Sequence, residues 1–243
     1  MAQNIYDDEE FFAAYSGLRR SVEGLDGAPE WPTLRSMLPA MSGLRVVDLG
    51  CGFGWFSRWA ASAGAASVLG VDISERMLER AVADTADDRV TYRRQDLDAV
   101  ELPAGAFAVA YSSLALHYLS DLDRILATIH QSLVPSGVFV FSIEHPIYSA
   151  PSRQEFVRDS TGRITWPLDQ YQIEGPRTTD WLAPGVQKYH RTIETYVSAL
   201  LRAGFTLQHL SEWAPTAEQI AEFPEWSVEL ERPQFLLIGA RRN

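Results

Sequence analysis

The segment Val46-Val47-Asp48-Leu49-Gly50-Cys51-Gly52-Phe53-Gly54 runs from apolar residues into three glycines and then, at Trp55, into a helical pattern. Glycines in such a turn permit positive φ and let a ligand approach bare backbone, while the helix that follows offers unpaired N–H groups. A polar or anionic ligand group is expected to dock there. A dinucleotide fingerprint needs Gly-x-Gly-x-x-Gly, and counting from Gly50 the sixth residue is Trp55, so the third glycine, Gly54, comes one position early. Asp48 argues further against a pyrophosphate, because a carboxylate just before the loop repels phosphate yet attracts a cation, directly or through water. A sulfonium and an amino group suit it. Asp72, in Leu69-Gly70-Val71-Asp72, falls about twenty residues past the loop, where a carboxylate accepts both hydroxyls of a ribose. NAD would use the same device. A third acid, Asp96 in Arg94-Gln95-Asp96-Leu97, is placed to take the exocyclic amine of an adenine.

These residues need a scaffold that brings the ends of successive strands to one edge. Apolar runs at 44–49, 67–71, 90–94, 107–112 and 137–143 alternate with helical patterns at 55–63, 75–84 and 122–133. Such alternation implies an α/β fold, a parallel sheet with helices on both faces. Gly64 and Pro135 are placed as stop signals after the first and last of these helices. The chain ends with a helix over 192–203, Gly204 as its cap, a strand near 205–210 and a last strand over 234–240. Two segments stand outside this rhythm. Residues 1–40, rich in acids and aromatics, precede the first strand. Residues 146–191 hold Phe156, Trp166, Tyr171, Trp181 and Tyr189, with Asp-Ser-Thr-Gly at 159–162 as a hairpin turn. This second segment is expected to cap the carboxyl edge of the sheet, where open α/β folds bind ligands.

Composition bounds the partners. The 243 residues suit one domain, with a core at 41–145, the cap at 146–191 and a return to the core at 192–243. At 46% hydrophobic and 22% charged residues, wholesale disorder and coiled coil are excluded. Lysine and arginine number 21 against 32 aspartates and glutamates, a formal charge of -11, so nucleic acid is not expected as a partner. A lone cysteine, Cys51, forms no internal disulfide, and the acidic start differs from the basic, then apolar start of a signal peptide; a cytoplasmic location is expected. Residues 125–143 carry no Asp, Glu, Lys or Arg, but His130, Gln131, Pro135, Ser136 and Gly137 break the run into helix, turn and strand, so no membrane span is expected. The oligomeric state is not legible, and a homodimer stays open.

Taken together these residues resemble the class I S-adenosylmethionine-dependent methyltransferases, over 45–143 and motif by motif: VVDLGCGFG as the glycine loop, LGVDIS with the ribose acid, RQDL as the adenine loop, YSSLALHYL after strand four, LVPSGVFVFS into strand five. The style is similar to the type 11 small-molecule branch, near the ubiquinone and menaquinone methyltransferases. The resemblance implies a Rossmann-like three-layer sandwich with a mostly parallel seven-stranded sheet and a last antiparallel strand. It implies cofactor contacts from Asp48, Gly50, Cys51, Gly52, Gly54, Asp72, Ile73, Met77, Asp96, Leu97, Ser112 and His117. It also implies an amino-terminal lid over 1–40 from which Tyr15 and Arg20 meet the methionine carboxylate. Two positions depart from the family pattern: Ala108 follows Phe107 where Asp is common, and Ser136-Gly137 follows Pro135 where Gly-Gly is common.

Methyl transfer is an in-line displacement at a cationic sulfur centre, so the protein has to orient the nucleophile, exclude water and manage one proton. His117 is read as a base or as a cofactor contact, His145 as a pocket rim or as a turn residue held by Pro146, and His190 as a pocket residue or as packing beneath the Thr192 cap. His130 and His209 are expected to be structural, Trp55 and Trp59 to fill core, and Trp166 and Trp181 to face the pocket. Neither Asn-Pro-Pro-Tyr nor Asp-Pro-Pro-Tyr follows strand four, which disfavours base-modifying DNA enzymes. Without an acidic cluster after strand four or paired His or Cys spacing, no metal is expected. The leading expectation is methyl transfer to an O, N or C nucleophile of a small molecule. An NAD-type oxidoreductase and a non-catalytic S-adenosylmethionine-binding protein are the alternatives.

Overall fold

A computed structural model describes residues 3–243. Three short helices, α1 (Glu9–Ser16), α2 (Arg19–Val22) and α3 (Trp31–Ser36), lead into the sheet. The alternating half follows as β1 (Arg45–Leu49), α4 (Trp55–Ser62), β2 (Ser67–Asp72), α5 (Glu75–Ala83), β3 (Val90–Arg94), β4 (Phe107–Ser113), α6 (Leu122–Ser132) and β5 (Leu133–Glu144). Residues 146–191 hold α7 (Pro146–Ser149) and two hairpins, β6 (Val157–Arg158) with β7 (Ile164–Thr165) and β8 (Gly175–Thr179) with β9 (Val186–His190). The chain closes with α8 (Ile193–Arg202), β10 (Phe205–Glu212), α9 (Ala217–Glu222) and β11 (Phe235–Arg242).

The central sheet has seven strands in the order β10-β11-β5-β4-β1-β2-β3. β1, β2, β3, β4 and β5 pair in parallel, while β11 runs against both β5 and β10. Strand β1 lies between β2 and β4, so the strand order reverses there. The crevice beyond its carboxyl end is where open sheets of this kind take ligands. Strands buried on both faces carry the apolar runs: Val47, Leu49, Phe139, Phe141 and Ile143 face a core completed by α6 and α8. On the other side Val46, Val68, Val109 and Val140 meet α3 and α4 through Trp31, Phe56 and Ala60.

One strand starts earlier than its sequence suggests. β5 begins at Leu133 and passes through Pro135, with Ser136 at φ 63, and its pairing with β4 shifts register between Phe107 and Val109. Pro135-Ser136-Gly137 is therefore a bulge within the strand, where a proline without an N–H and a left-handed residue are tolerated. The hairpin turn at 159–162 forms as expected: Asp159 accepts from the backbone N–H groups of Thr161 and Arg163 and joins β6 to β7. Among the described residues no helix is long and apolar enough to cross a membrane.

The amino-terminal segment is fastened to the sheet edge at a defined point. Asp7 accepts from the Ser74 hydroxyl at 2.6 Å and from the Arg76 N–H at 3.2 Å, at the start of α5, two residues past Asp72. Gln3 bonds the 146–191 segment, donating to the Gly185 carbonyl and accepting from the Gln187 N–H.

Candidate active site

The glycine loop leaves β1 and turns into α4. Gly50, Gly52 and Gly54 all have positive φ, but for different reasons. A side chain on Gly50 would meet the Ala115 methyl at 2.4 Å, and one on Gly54, the N-cap of α4, would meet the Tyr92 hydroxyl at 2.1 Å. At Gly52 nothing lies within 4 Å of where a side chain would begin, so that backbone faces open space. Asp72, at the end of β2, fixes this turn by accepting the Gly52 N–H at 2.8 Å and the Ser74 N–H at 2.9 Å on its two oxygens. Bonds to a charged acceptor contribute about 1.5–3 kcal/mol each, and each carboxylate oxygen keeps a second lone pair for a ligand hydroxyl.

The open space is a cavity of ≈ 540 Å³, a volume suited to small molecules and cofactors. Asp48, Gly50, Cys51 and Gly52 line it from β1 and its loop, Asp72, Ile73 and Met77 from β2 and α5, and Asp96 and Leu97 from beyond β3. His117 and Tyr118 face it from the turn after β4, and Tyr15 and Arg20 from the amino-terminal segment. Asp48 is buried and accepts the Ser57 hydroxyl at 2.7 Å; burial pushes its pKa up to about 7, opposed by that bond. Ionisation at neutral pH is therefore finely balanced and favoured by a nearby cation. Burial also raises Asp72, against the pull of its backbone N–H donors.

His117 is neutral at physiological pH, its pKa lowered to about 4 chiefly by burial. Its Nδ1 accepts the Glu144 N–H at 3.4 Å, which leaves the ring hydrogen on Nε2, so the neutral ring holds a donor there and no free acceptor. Arg20 donates to both oxygens of the fully buried Glu30, at 3.1 and 3.2 Å. The Tyr6 and Tyr118 hydroxyls bond each other at 3.2 Å, and Tyr6, Phe11, Tyr15 and Trp181 form a mainly edge-to-face cluster, with Phe11 stacked on Tyr15, that joins the amino-terminal segment to the 146–191 segment.

Several residues singled out in the sequence lie elsewhere. His145 caps α7, with Nδ1 accepting the Ile147 N–H and Nε2 against Glu212; His190 bridges the Ser149 hydroxyl and the Tyr171 carbonyl. Both are buried by these contacts and outside the cavity wall. Ser112 points to the other face of β4 from Tyr111 and Ser113 and donates to the Leu49 carbonyl, tying β4 to β1. Gly54 serves the helix start and the approach of Tyr92. Trp166 stacks on Tyr148 and lies beneath Arg232, donating to the Ile147 carbonyl, outside the cavity wall. His130 packs on Phe205 in the core, and His209 sits on β10.

The structure adds residues that the sequence did not single out. Trp55, read as core, lines the cavity with its indole N–H buried and unpaired. Glu30, Glu144, Trp213, Trp226 and Glu229 line it as well. For Glu144 a signal was available, because it ends β5 at the carboxyl edge of the sheet. For the others none was, since they arrive from segments without a periodic pattern. Among the described residues no group of three or more His, Cys, Asp or Glu could hold a metal ion.

The open backbone at Gly52, the two buried acids and the unpaired Trp55 N–H fit a nucleoside bearing a cation and a carboxylate. The family model described as a methyltransferase domain, of type 11, matches residues 47–141. The crystal structure of an S-adenosylmethionine-dependent methyltransferase from Mesorhizobium loti is 58% identical, with a TM-score of 0.88, covering 90% of this chain and 100% of that one. An uncharacterised protein of Haemophilus influenzae is 34% identical over 251 residues, 98% of this chain and 97% of that protein. A malonyl-[acyl-carrier protein] O-methyltransferase of Pectobacterium atrosepticum is 37% identical over 109 residues, 45% of this chain and 42% of that enzyme. The chain thus departs from the dinucleotide pattern for a reason: it belongs to the class I S-adenosylmethionine-dependent methyltransferases, in their type 11 branch.

Proposed function

We propose that this methyltransferase acts on a small molecule held between the sheet edge and the two outer segments, with 1–40 as lid and 146–191 as cap. The observation that carries this reading is the double wall of the cavity. One side is built of Asp48, Gly52, Asp72 and Asp96; the other is closed by Tyr6 and Tyr15 from the lid, Tyr148 and Trp181 from the cap, and Trp213 and Trp226 from the carboxyl-terminal part. A macromolecular side chain would have to enter through that cover, whereas a small acceptor is enclosed by it.

S-adenosylmethionine supplies the methyl group on a cationic sulfur. Asp72 would receive the ribose hydroxyls, Asp96 and Leu97 the adenine, and the Gly50–Gly52 backbone the amino-acid part, with Asp48 as the compensating negative charge. Arg20, Tyr15 and the Trp55 N–H are the donors available to a carboxylate. The aromatic wall excludes water and orients the nucleophile, and in-line displacement requires little more. His117, a neutral donor, orients without accepting the proton.

The test is to incubate the enzyme with methyl-labelled S-adenosylmethionine and a cell extract split into small-molecule and macromolecular fractions. Label entering a small-molecule product supports the reading. Label entering only protein or nucleic acid contradicts it.

A further inference from the structure

The acceptor end of the cavity holds a carboxylate with one oxygen unused. Glu144 ends β5, on the side of β4 away from β1, and so lies beyond the acids assigned to the cofactor. Its Oε1 accepts from the buried Lys188 ammonium at 2.5 Å; Lys188 reaches from β9 of the cap and lies 4.7 Å from the Trp181 ring centre. Its Oε2 is buried with no partner among the described residues. Leaving a charged acceptor atom buried and unsatisfied is costly, and a ligand donor would relieve that cost. Aromatic rings surround the position: Tyr148, Tyr118 and Trp181 also line the cavity.

The charge around the cavity narrows the ligand. Six acidic side chains line it against two arginines. Both arginines are already ion-paired, Arg20 with Glu30 and Arg19 with Glu23. An acceptor arriving as a carboxylate would find an unpaired carboxylate oxygen in front of it, and the described lining residues offer no arginine besides Arg20, assigned above to the carboxylate of the cofactor, and the ion-paired Arg19.

We infer that Glu144 Oε2 receives the hydrogen of the methyl acceptor, and that the acceptor is an amine or hydroxyl group carrying an N–H or O–H, on an apolar body that fits the aromatic wall. This inference rests on the small-molecule reading above. In the step, the lone pair of the acceptor nitrogen or oxygen forms the new bond to the methyl carbon. The carbon–sulfur bond breaks with its electron pair left on sulfur, and the acceptor's proton passes to Glu144 Oε2. Lys188 holds the other oxygen and so positions the carboxylate from behind the wall. Methylation of a carboxylate oxygen is then not the reaction here.

Three probes that share one apolar body test this: phenethylamine, 2-phenylethanol and phenylacetate, each titrated at millimolar concentration into enzyme saturated with S-adenosylhomocysteine, and each offered for turnover with S-adenosylmethionine. The amine and the alcohol are expected to bind, with phenylacetate weaker by about tenfold or more. Glu144→Gln should weaken the two donors by about tenfold or more, with S-adenosylhomocysteine affinity unchanged. Because Glu144→Gln leaves Lys188 buried without its counter-charge, the double variant Glu144→Gln, Lys188→Met removes the pair together and should lose the same preference. Equal or tighter binding of phenylacetate, an unaltered preference in the two variants, or no binding by any probe to cofactor-loaded enzyme would overturn the inference. Failure of the wild type to bind S-adenosylhomocysteine would instead overturn the reading beneath it.

Discussion

The three glycines of the loop can be separated by experiment, because only at Gly52 would a side chain start in open space. In Gly52→Val the new Cβ meets no atom within 4 Å beyond its chain neighbours, so the main cost to the free enzyme is the left-handed backbone at φ 50. That conformation costs an L-residue about 1–2 kcal/mol, somewhat more when β-branched, against a total stability of about 5–15 kcal/mol. The variant should fold. Its isopropyl group, however, enters the space where the Gly50–Gly52 backbone would hold the cofactor, and affinity for S-adenosylhomocysteine should fall at least a hundredfold, about 3 kcal/mol. Gly54→Val should behave in the opposite way. Its side chain would collide with the Tyr92 hydroxyl at 2.1 Å and the damage should appear as lost stability first. Thermal unfolding and calorimetric titration of both variants check the contrast. A folded Gly52→Val enzyme that bound S-adenosylhomocysteine like the wild type would refute the assignment of this backbone to the cofactor.

Asp72→Ala should weaken S-adenosylhomocysteine by about 1.5–3 kcal/mol through loss of the ribose bonds, and somewhat more because the Gly52 N–H loses its acceptor; unchanged calorimetric affinity in a folded variant would remove the ribose role. Asp48 carries a pKa raised to about 7, so a bound cation should drive its proton off, and S-adenosylmethionine affinity should rise as pH increases through 7. Titrations in buffers of different ionisation enthalpy should register proton release with S-adenosylmethionine and less with uncharged-sulfur S-adenosylhomocysteine; no buffer dependence would contradict this. Trp181→Ala should keep S-adenosylhomocysteine affinity within about tenfold, 1.4 kcal/mol, while methyl transfer falls much further, since this ring belongs to the cap side of the cavity. Equal losses in both would place Trp181 against the cofactor instead.

The sheet was legible because its strands are buried on both faces and read as short apolar runs between amphipathic helices, with glycine and proline at the boundaries. The exception at Pro135 has a cause, since a bulge lets a strand pass through residues that normally end one. Cavity-lining residues were legible where chemistry and strand position coincide, as at Asp48, Gly52 and Asp72. Side-chain direction was not. His145 and His190 stand at the correct edge of the sheet, but capping of α7 and a hydroxyl partner turn both rings away, and chain position carries no information on that choice. Ser112 fails similarly: with β4 buried on both faces, no polar alternation marks which residues look toward the crevice. Trp213, Trp226 and Glu229 reach the cavity by long-range packing of irregular segments, for which local patterns offer no guide, whereas Glu144 stands at the end of β5.

The central claim is that S-adenosylmethionine binds in this cavity with its sugar on Asp72 and its sulfur toward the lid and cap. A crystal structure with S-adenosylhomocysteine measures this directly. The expected result places both ribose hydroxyls within hydrogen-bond distance of the Asp72 carboxylate, the adenine beside Asp96 and Leu97, and the sulfur facing the space lined by Tyr118, Glu144 and Trp181. A nucleoside bound away from Asp72, or one whose sulfur turned from that space, would contradict the account.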